Sequence, residues 1–260
     1  MILSSPKTSC PLLQACPLQS HSLSFTMISS LQEHFVPCIH HTNKEFYMTE
    51  QERMKAGYMW LDDDENMALQ ARARALVEQF NSLPADANKE RMDLVHKIFG
   101  SCGKNVWIVP PMKCTTGIYT SIGEGCYFNQ GVTIIDDWKV EIGDHTLFGP
   151  NVTLCTTGHA ISPKHRSEGM YSFPIKIGSG CWIGANVVVL PGVTIGDNSV
   201  IGAGSIVTKD IPANVVAFGS PCKVYREIGE EDDICYFKGH RFEDQPPREN
   251  PAPTLDFMES

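Results

Sequence analysis

The chain has 260 residues, of which 42% are hydrophobic and 20% are charged, and its formal net charge is −9. This composition is typical of an acidic globular protein and argues against a nucleic-acid partner, because affinity for phosphates needs a basic surface. No apolar run approaches the ~20 residues that a membrane-spanning helix needs, so no membrane partner is expected either.

The ten cysteines are scattered, with no Cys-x-x-Cys pair and no spacing that suits zinc. A chain of this size can build its own core, so disulfides are not needed to stabilise it. We therefore expect reduced thiols in a cytoplasmic protein, rather than the disulfide scaffold of an extracellular one.

Residues 1–47 are rich in Ser, His and Pro, contain no Arg and have no sustained apolar run. They fit neither a secretory signal nor an Arg-rich transit peptide. Met48 is a natural start, because Thr49 and Glu52 form a capping box for a following helix. We expect residues 1–47 to be a disordered extension or an artefact of the gene model, with a weak targeting segment as the alternative.

Residues 48–104 are predicted to form a small helical cap. Apolar residues fall at helical spacing after the acidic run at 62–65, namely Leu69, Ala73, Leu76, Val77 and Phe80. Met92 and Val95 mark a second short helix, which is stopped by Gly100. These helices are too small for a catalytic domain, so they are expected to close one end of the region that follows.

A bulky apolar residue recurs at every sixth position through much of residues 105–226. The series comprises Ile122, Phe128, Ile134, then after a two-residue slip Ile142, Phe148 and Leu154, and finally Ile177, Ile183, Val189, Ile195, Ile201 and Val207. A period of six fits neither a helix nor one alternating strand. It indicates a parallel β-helix, in which each repeat supplies one strand and one corner.

Residues 195–200 illustrate one repeat. Ile195 is expected to point inward, and Val200 is expected to do the same at the end of the unit. Gly196 and Asn198 are expected at the corner, where a positive φ is cheapest for Gly and Asn. Such a column has no groove of its own, so function must come from loops and from surfaces between copies.

The repeat is interrupted by an inserted loop, residues 155–176, which contains Thr157-Gly158-His159. Excursions from a solenoid are where binding residues collect. Beyond the β-helix, the C-terminal tail 227–260 turns acidic and then Pro-rich, and nothing in it indicates a folded unit.

Several motifs occur in register with this loop, at residues 170–175 (MYSFPI), 182–184 (WIG), 191–198 (PGVTIGDN) and 202–212 (GAGSIVTKDIP). Together they resemble the galactoside and maltose O-acetyltransferases, which are hexapeptide-repeat acyltransferases. The likeness covers roughly residues 48–242, from Ala56-Gly57 in the cap to Tyr236-Phe237-Lys238.

The resemblance implies an all-β, left-handed parallel β-helix with a small N-terminal α-helical cap, acting as a homotrimer with active sites between subunits. Left-handedness comes from the resemblance, because the general expectation is a right-handed crossover. The implied reaction is direct transfer of acetyl from acetyl-coenzyme A to a sugar hydroxyl, with no metal. Galactosides, maltose, glucose and other small hydroxylated acceptors all remain open.

Two residues match catalytic positions of that family. His159 matches the general base, which a sugar hydroxyl needs because it is a poor nucleophile. Asn129 matches a residue near the oxyanion that develops on the thioester carbonyl. A corner asparagine is also common in any β-helix.

Positions around the acceptor sugar match Asp62, Thr115, Asp137 and Met170. Carboxylates and a hydroxyl can hydrogen-bond sugar hydroxyls, and a methionine can pack against the ring. Asp62 could instead only cap a helix, and Asp137 could only turn a corner. Thr115 replaces the serine of the galactoside branch, and its extra methyl group narrows the pocket.

Coenzyme A needs a long slot for its pantetheine arm and cations for its phosphates. The family positions for these groups fall on Ala185, Ala203, Thr208, Lys209, Lys223 and Arg226. Ala185 replaces a serine of the pattern, which removes one possible hydrogen bond.

Three alternatives are open. A γ-type carbonic anhydrase would hold zinc with three imidazoles, for which His145, His159 and His165 are available, although Thr-Gly-His is not its pattern. A non-catalytic hexapeptide scaffold would have no reason to keep a base in the loop. Cys155 could form an acyl-enzyme, but no partner is evident to orient it.

Overall fold

The computed structural model describes residues 47–247. The predicted extension up to residue 46 and the Pro-rich end at 248–260 lie outside the described residues. Four α-helices lie in the described part, α1 (Glu50–Lys55), α2 (Asp64–Ser82), α3 (Asn88–Ile98) and α4 (Glu230–Ile234), and a short 3₁₀-helix spans Arg166–Glu168.

Twenty-one short strands lie in the same part of the chain. They are β1 (Ser101–Cys102), β2 (Trp107–Ile108), β3 (Lys113–Cys114), β4 (Thr120–Ile122), β5 (Tyr127–Phe128), β6 (Thr133–Ile135), β7 (Val140–Ile142), β8 (Leu147–Phe148), β9 (Thr153–Cys155), β10 (Thr157–His159), β11 (Met170–Ser172), β12 (Ile175–Ile177), β13 (Trp182–Ile183), β14 (Val188–Val189), β15 (Thr194–Ile195), β16 (Val200–Ile201), β17 (Ile206–Val207), β18 (Val215–Gly219), β19 (Cys222–Glu227), β20 (Cys235–Phe237) and β21 (His240–Arg241).

Most strands form three sheets, which we call faces A, B and C. Face A has the order β1-β4-β7-β12-β15, face B β2-β5-β8-β13-β16-β18-β19, and face C β3-β6-β9-β14-β17. Each coil supplies one strand to each face in turn, and neighbouring coils pair in parallel. The predicted parallel β-helix is thereby confirmed, with five complete coils in the described part and a sixth begun by β18.

The apolar column occupies the centre of the coils. All twelve residues of the six-residue series are buried, each with at most 5% of its surface exposed. Equivalent residues stack directly on one another, as Phe128 does on Phe148, with ring centroids 4.4 Å apart. This continuous burial of apolar surface is the main term that stabilises the prism.

The repeat differs from prediction at its second inward position. Val200 is half-buried, whereas Ser199 is fully buried. Val200 precedes the inward-facing Ile201 on a two-residue strand, so alternation turns its side chain outward. The buried Ser199 hydroxyl donates to the Pro212 carbonyl at 2.7 Å, which satisfies its polar group.

Glycine also occupies the corners for a reason other than the predicted positive φ. Asn198 adopts the expected positive φ of 58°, but Gly184 and Gly196 do not lie in the left-handed region. They face the next coil instead, so that a Cβ at Gly184 would lie 2.6 Å from the backbone nitrogen of Ala203. Close approach of adjacent coils, rather than turn geometry, requires glycine there.

The helical cap closes one end of the prism. Thr49 and Glu52 form the predicted capping box at the start of α1. Buried residues of α2 and α3, such as Phe80 and Val95, join the same core as the coils. The Asn81 side chain of α2 exchanges two hydrogen bonds of 2.9 Å with the backbone of Met112. Strand pairing begins at Ser101, four residues before the predicted boundary at 105.

The segment after the coils is more ordered than its composition predicted. β19 turns back antiparallel on β18, and α4 is followed by the hairpin of β20 and β21. Arg226 donates two hydrogen bonds, of 2.6 and 2.7 Å, to the Asp232 carboxylate. Within residues 47–247, no helix is both long and apolar enough to cross a bilayer.

Close packing of coils predicts that Gly184→Ala will lower the free energy of unfolding by about 1–3 kcal/mol, because the added methyl must displace the backbone at Ala203. Gly229→Ala is the control, since Gly229 has φ −138° and no atom within 4 Å of an added Cβ. We expect the control to lose less than about 1 kcal/mol. Urea denaturation at one protein concentration measures both, and equal losses would contradict the proposed cause.

Candidate active site

The corners of the prism place most of the predicted site residues on two edges. The B–C edge follows each strand of face B and carries Asn129, Ala185 and Ala203. The C–A edge follows each strand of face C and carries Thr115, Asp137, the loop with His159 and Met170, and Thr208 with Lys209.

The inserted loop leaves the C–A edge as an antiparallel pair, β10 and β11. His159 ends β10, opposite Met170, and its side chain is exposed. Its ring makes no hydrogen bond to any residue in the range 47–247. The imidazole therefore projects from the edge with both nitrogens accessible.

Trp60, in the connection between α1 and α2, holds the base of this loop. Its backbone exchanges two hydrogen bonds of 2.8 Å with Met170. Its buried indole nitrogen donates to the Ser172 hydroxyl at 3.1 Å, and that hydroxyl lies 2.8 Å from the Thr157 hydroxyl. The network fixes both strands that carry His159 and Met170.

Asp136 organises the C–A edge from within. Its fully buried carboxylate accepts hydrogen bonds from the backbone of Thr115 and Thr116 and from the Thr120 hydroxyl, at 2.8–3.1 Å. Burial raises the pKa of Asp136 above its usual range, which these hydrogen bonds partly offset. Asp136 thus positions Thr115, whose half-buried side chain lies at the same edge.

Asp137 and Asp62 lie near enough for their charges to interact, although 75 residues separate them in the chain. Burial raises the pKa of Asp137, a hydrogen bond with Thr157 lowers it, and the charge of Asp62 raises it further. Asp62 does not cap α2, because the cap is Asp63, which accepts from the Asn66 amide at 2.8 Å. Asp62 accepts instead from the Gln70 side chain at 2.9 Å and remains exposed.

Asn129 occupies a corner position that is glycine in the next three coils, at Gly149, Gly184 and Gly202. Its side-chain oxygen accepts from the Gln130 amide at 2.8 Å. Its amide NH₂ group has no partner among residues 47–247, so it is available as a donor at the B–C edge.

The predicted cofactor residues divide between the two edges and the end of the coils. Ala185 and Ala203 lie in successive coils of the B–C edge. Lys209 and Lys223 are exposed and form no ion pair within the described part of the chain. Arg226 is the exception, because its guanidinium is paired with Asp232.

One chain does not bring His159 and Asn129 together. Gly149 stacks on Asn129, and the segment 150–155, which ends in strand β9, spans face C before the loop begins. At about 3.3 Å per residue this separation is about 15–20 Å. The acceptor residues and His159 thus form one group, and Asn129 belongs to another.

The alternatives find little support in this geometry. Residues 47–247 contain no group of three His, Cys, Asp or Glu side chains placed to hold a metal ion. His145 lies at a corner between faces A and B with φ 55°, and His165 is bonded to Glu168 at 2.8 Å. The Cys155 thiol donates to the Thr157 carbonyl at 3.2 Å, and no imidazole or carboxylate in the described part of the chain is bonded to it.

The sequence motifs did not indicate Trp60, Ser172 or Asp136 as residues that support the site. Trp60 and Ser172 are 112 residues apart, and no local pattern indicates that they meet. The sequence did contain an indication of Asp136. This residue lies in the two-residue slip of the hexapeptide series, where an extra corner residue leaves neighbouring backbone amides that need a hydrogen-bond acceptor.

Comparison with known families matches two parts of this architecture. A family described as the maltose acetyltransferase hexapeptide capping motif matches residues 53–103, and the bacterial transferase hexapeptide (six repeats) matches residues 174–209. The galactoside O-acetyltransferase of Escherichia coli K12 is 49% identical over 195 residues, which are 74% of this chain and 96% of that protein. The chain belongs to the hexapeptide-repeat galactoside and maltose O-acetyltransferase family.

Other relatives support the same family membership. The galactoside O-acetyltransferase of Lactococcus lactis is 44% identical over 67% of this chain and 85% of its own length. A solved galactoside acetyltransferase in complex with coenzyme A has a TM-score of 0.74 and 47% identity, covering 75% of this chain and 98% of that one. A hexapeptide-repeat acetyltransferase of Vibrio cholerae complexed with acetyl-coenzyme A has a TM-score of 0.65 and 33% identity, covering 70% and 100%.

The buried Asp137 predicts a pH dependence of stability. Its pKa in the folded protein lies above the value of about 4 in the unfolded chain, so its stabilising effect is complete below pH 4 and is lost as the pH rises through the folded pKa. We expect the unfolding free energy of the wild type to fall more between about pH 4 and 7 than that of Asp137→Asn. Asp86→Asn, at an exposed position, should leave the profile unchanged. Parallel profiles for Asp137→Asn and wild type would contradict this assignment.

Proposed function

We propose that this protein transfers acetyl from acetyl-coenzyme A to a hydroxyl of a sugar or similar small acceptor. The observation that carries the proposal is the exposed imidazole of His159 at the same edge as Asp62, Thr115, Asp137 and Met170. The name of the relative in E. coli, a galactoside O-acetyltransferase, supports a sugar acceptor.

His159 acts as the general base in a direct transfer. Its neutral imidazole accepts the proton of the acceptor hydroxyl while that oxygen forms a bond to the thioester carbonyl carbon. The tetrahedral intermediate collapses, the carbon–sulfur bond breaks, and the imidazolium returns the proton to the departing sulfur. No acyl-enzyme is needed, and the products are the acetyl ester and coenzyme A.

Asn129 stabilises the negative charge on the carbonyl oxygen of that intermediate. Its NH₂ group is an unused donor, and its side-chain oxygen is held by the Gln130 amide, so the amide is already oriented. A preorganised donor of this kind is worth most where water is excluded.

The active site is shared between copies, because His159 and Asn129 lie on different edges of one chain. Face B supports such an assembly, since its outward ladder is apolar and includes Tyr127, Leu147, Trp182 and Val200. Leu147 and Trp182 are 42% and 57% exposed. Exposed apolar ladders of this kind are typical of interfaces, and the proposed assembly is a homotrimer.

The acceptor binds between the cap and the C–A edge. Asp62 and Asp137 accept hydrogen bonds from sugar hydroxyls, the Thr115 hydroxyl donates or accepts one, and Met170 packs against the ring. The pantetheine arm runs beside Ala185, Ala203 and Thr208, and Lys209, Lys223 and Arg226 face the phosphates, for which Arg226 must exchange its Asp232 partner. A cytoplasmic location stays a prediction from the sequence.

His159→Ala should lower kcat by about 10²–10⁴-fold with a galactoside or maltose acceptor, because the transition state loses its base. His165→Ala is the matched control, since it removes from the same loop an imidazole that is bonded to the exposed Glu168. Release of coenzyme A from acetyl-coenzyme A measures both. Equal turnover of His159→Ala and wild type would remove His159 from the mechanism.

A shared site predicts complementation between two inactive variants. His159→Ala and Asn129→Ala should each be impaired, Asn129→Ala by about 10²–10³-fold. After co-refolding in equal amounts, about a quarter of the sites of a randomly mixed trimer combine both wild-type residues, so activity should recover to about that fraction. Activity that stays at the level of the separate variants would show that both residues act from one chain.

A further inference from the structure

Two exposed aromatic side chains form a pair at the end of the coils. The Phe218 and Tyr225 rings lie 5.0 Å apart between centroids at an interplanar angle of 44°, and they are 47% and 67% exposed. Phe218 follows Ala217, the last residue of β18 that pairs with β16 in face B, and Tyr225 lies on β19 opposite the register shift between Val216 and Ala217. Because of this irregularity, Tyr225 has no partner in the β18–β19 pairing, and its ring packs against that of Phe218.

The aromatic pair lies at the end of the B–C edge, where it continues the row of equivalent corner residues. Phe218 follows Asn129, Gly149, Gly184 and Gly202 in the stack of corner positions. A Cβ added to Gly202 would lie 2.7 Å from the Phe218 Cβ, so the ring begins directly beside Gly202 and its neighbour Ala203. Four coil spacings of about 4.8 Å separate Asn129 from Phe218, about 20 Å in all.

A cation accompanies the aromatic pair. Lys223 pairs with Phe218 across the antiparallel turn, and its exposed ammonium group forms no ion pair among residues 47–247. An aromatic surface with a free cation beside it has the chemistry that binds a nucleotide, in which a base stacks and a phosphate is neutralised.

We infer that Phe218 and Tyr225 form the platform on which the adenine base of coenzyme A stacks, with Lys223 contacting its phosphates. The inference rests on the proposed function and extends it to the nucleotide end of the cofactor. The thioester then lies near Asn129, the pantetheine arm follows the B–C edge, and the adenine meets the first exposed aromatic pair beyond Ala203. Phe218 and Tyr225 are positioning residues, since they lie far from the reacting atoms.

The test compares two acetyl donors, acetyl-coenzyme A and acetyl-pantetheine, which lacks the nucleotide. Base–aromatic stacking is worth ~1–3 kcal/mol per base, so Phe218→Ala and Tyr225→Ala should each raise the KM for acetyl-coenzyme A by about 5- to 150-fold. Their kcat values, and kcat/KM for acetyl-pantetheine, should equal those of the wild type. Phe218→Tyr should restore the KM, because a tyrosine ring can stack in the same place.

Tyr58→Ala is the control for loss of an exposed aromatic residue, since Tyr58 is 56% exposed in the helical cap. It should leave the KM for both donors unchanged. An equal rise in KM for the two donors in Phe218→Ala would overturn the inference. So would a fall in the solution mass of that variant by light scattering, which would make the pair a contact between copies.

Direct binding separates this inference from the proposed function. Calorimetry of the wild type should show coenzyme A binding at least ~5-fold more tightly than pantetheine, with the difference reduced in Phe218→Ala. If coenzyme A binds but Phe218→Ala keeps the full difference, only the adenine platform is wrong. If the wild type neither binds coenzyme A nor transfers acetyl from either donor, the proposed function is wrong as well.

Discussion

The fixed spacing of about 4.8 Å between coils is the constraint on which the rest of this molecule depends. It requires inward residues that stack on their own equivalents, as Phe128 does on Phe148, and it leaves no room for a side chain where one coil crosses the next, as at Gly184. The stacked apolar side chains of the described coils fill the interior of the prism. Chemistry is therefore confined to the edges, to the one inserted loop and to surfaces between copies.

Much of this architecture could be predicted from the sequence, because its cause is local and periodic. The twelve apolar residues of the hexapeptide series are buried, and the capping box of Thr49 and Glu52 forms as its spacing indicates. Two predictions were wrong because they were based on residue identity alone. Gly196 is required by the coil above it and not by its own φ, and Ser199 rather than Val200 turns inward, because a two-residue strand fixes the alternation. The order beyond Glu227 was missed because α4 and the hairpin of β20 and β21 are short and have no periodic signal; their contacts include the pair of Arg226 with Asp232.

The resemblance named the residues of the candidate site, but it did not predict how they are arranged on the prism. The resemblance pointed to His159 and Asn129, whereas their assignment to different edges follows only from counting strands around the coil. The supports of the site are contacts between distant parts of the chain. Trp60 reaches the loop through Met170 and Ser172, and Asp62 approaches Asp137, so the helical cap does more than close the prism. It completes the wall against which the acceptor is proposed to bind.

In the proposed mechanism, one copy supplies the base and another supplies the oxyanion donor. A crystal structure of the protein with coenzyme A and a galactoside would test this division. We expect the acceptor hydroxyl within about 3 Å of the His159 ring of one copy and the sulfur beside Asn129 of a neighbouring copy. A cofactor whose sulfur lies remote from His159, or whose two catalytic contacts come from a single chain, would contradict the account.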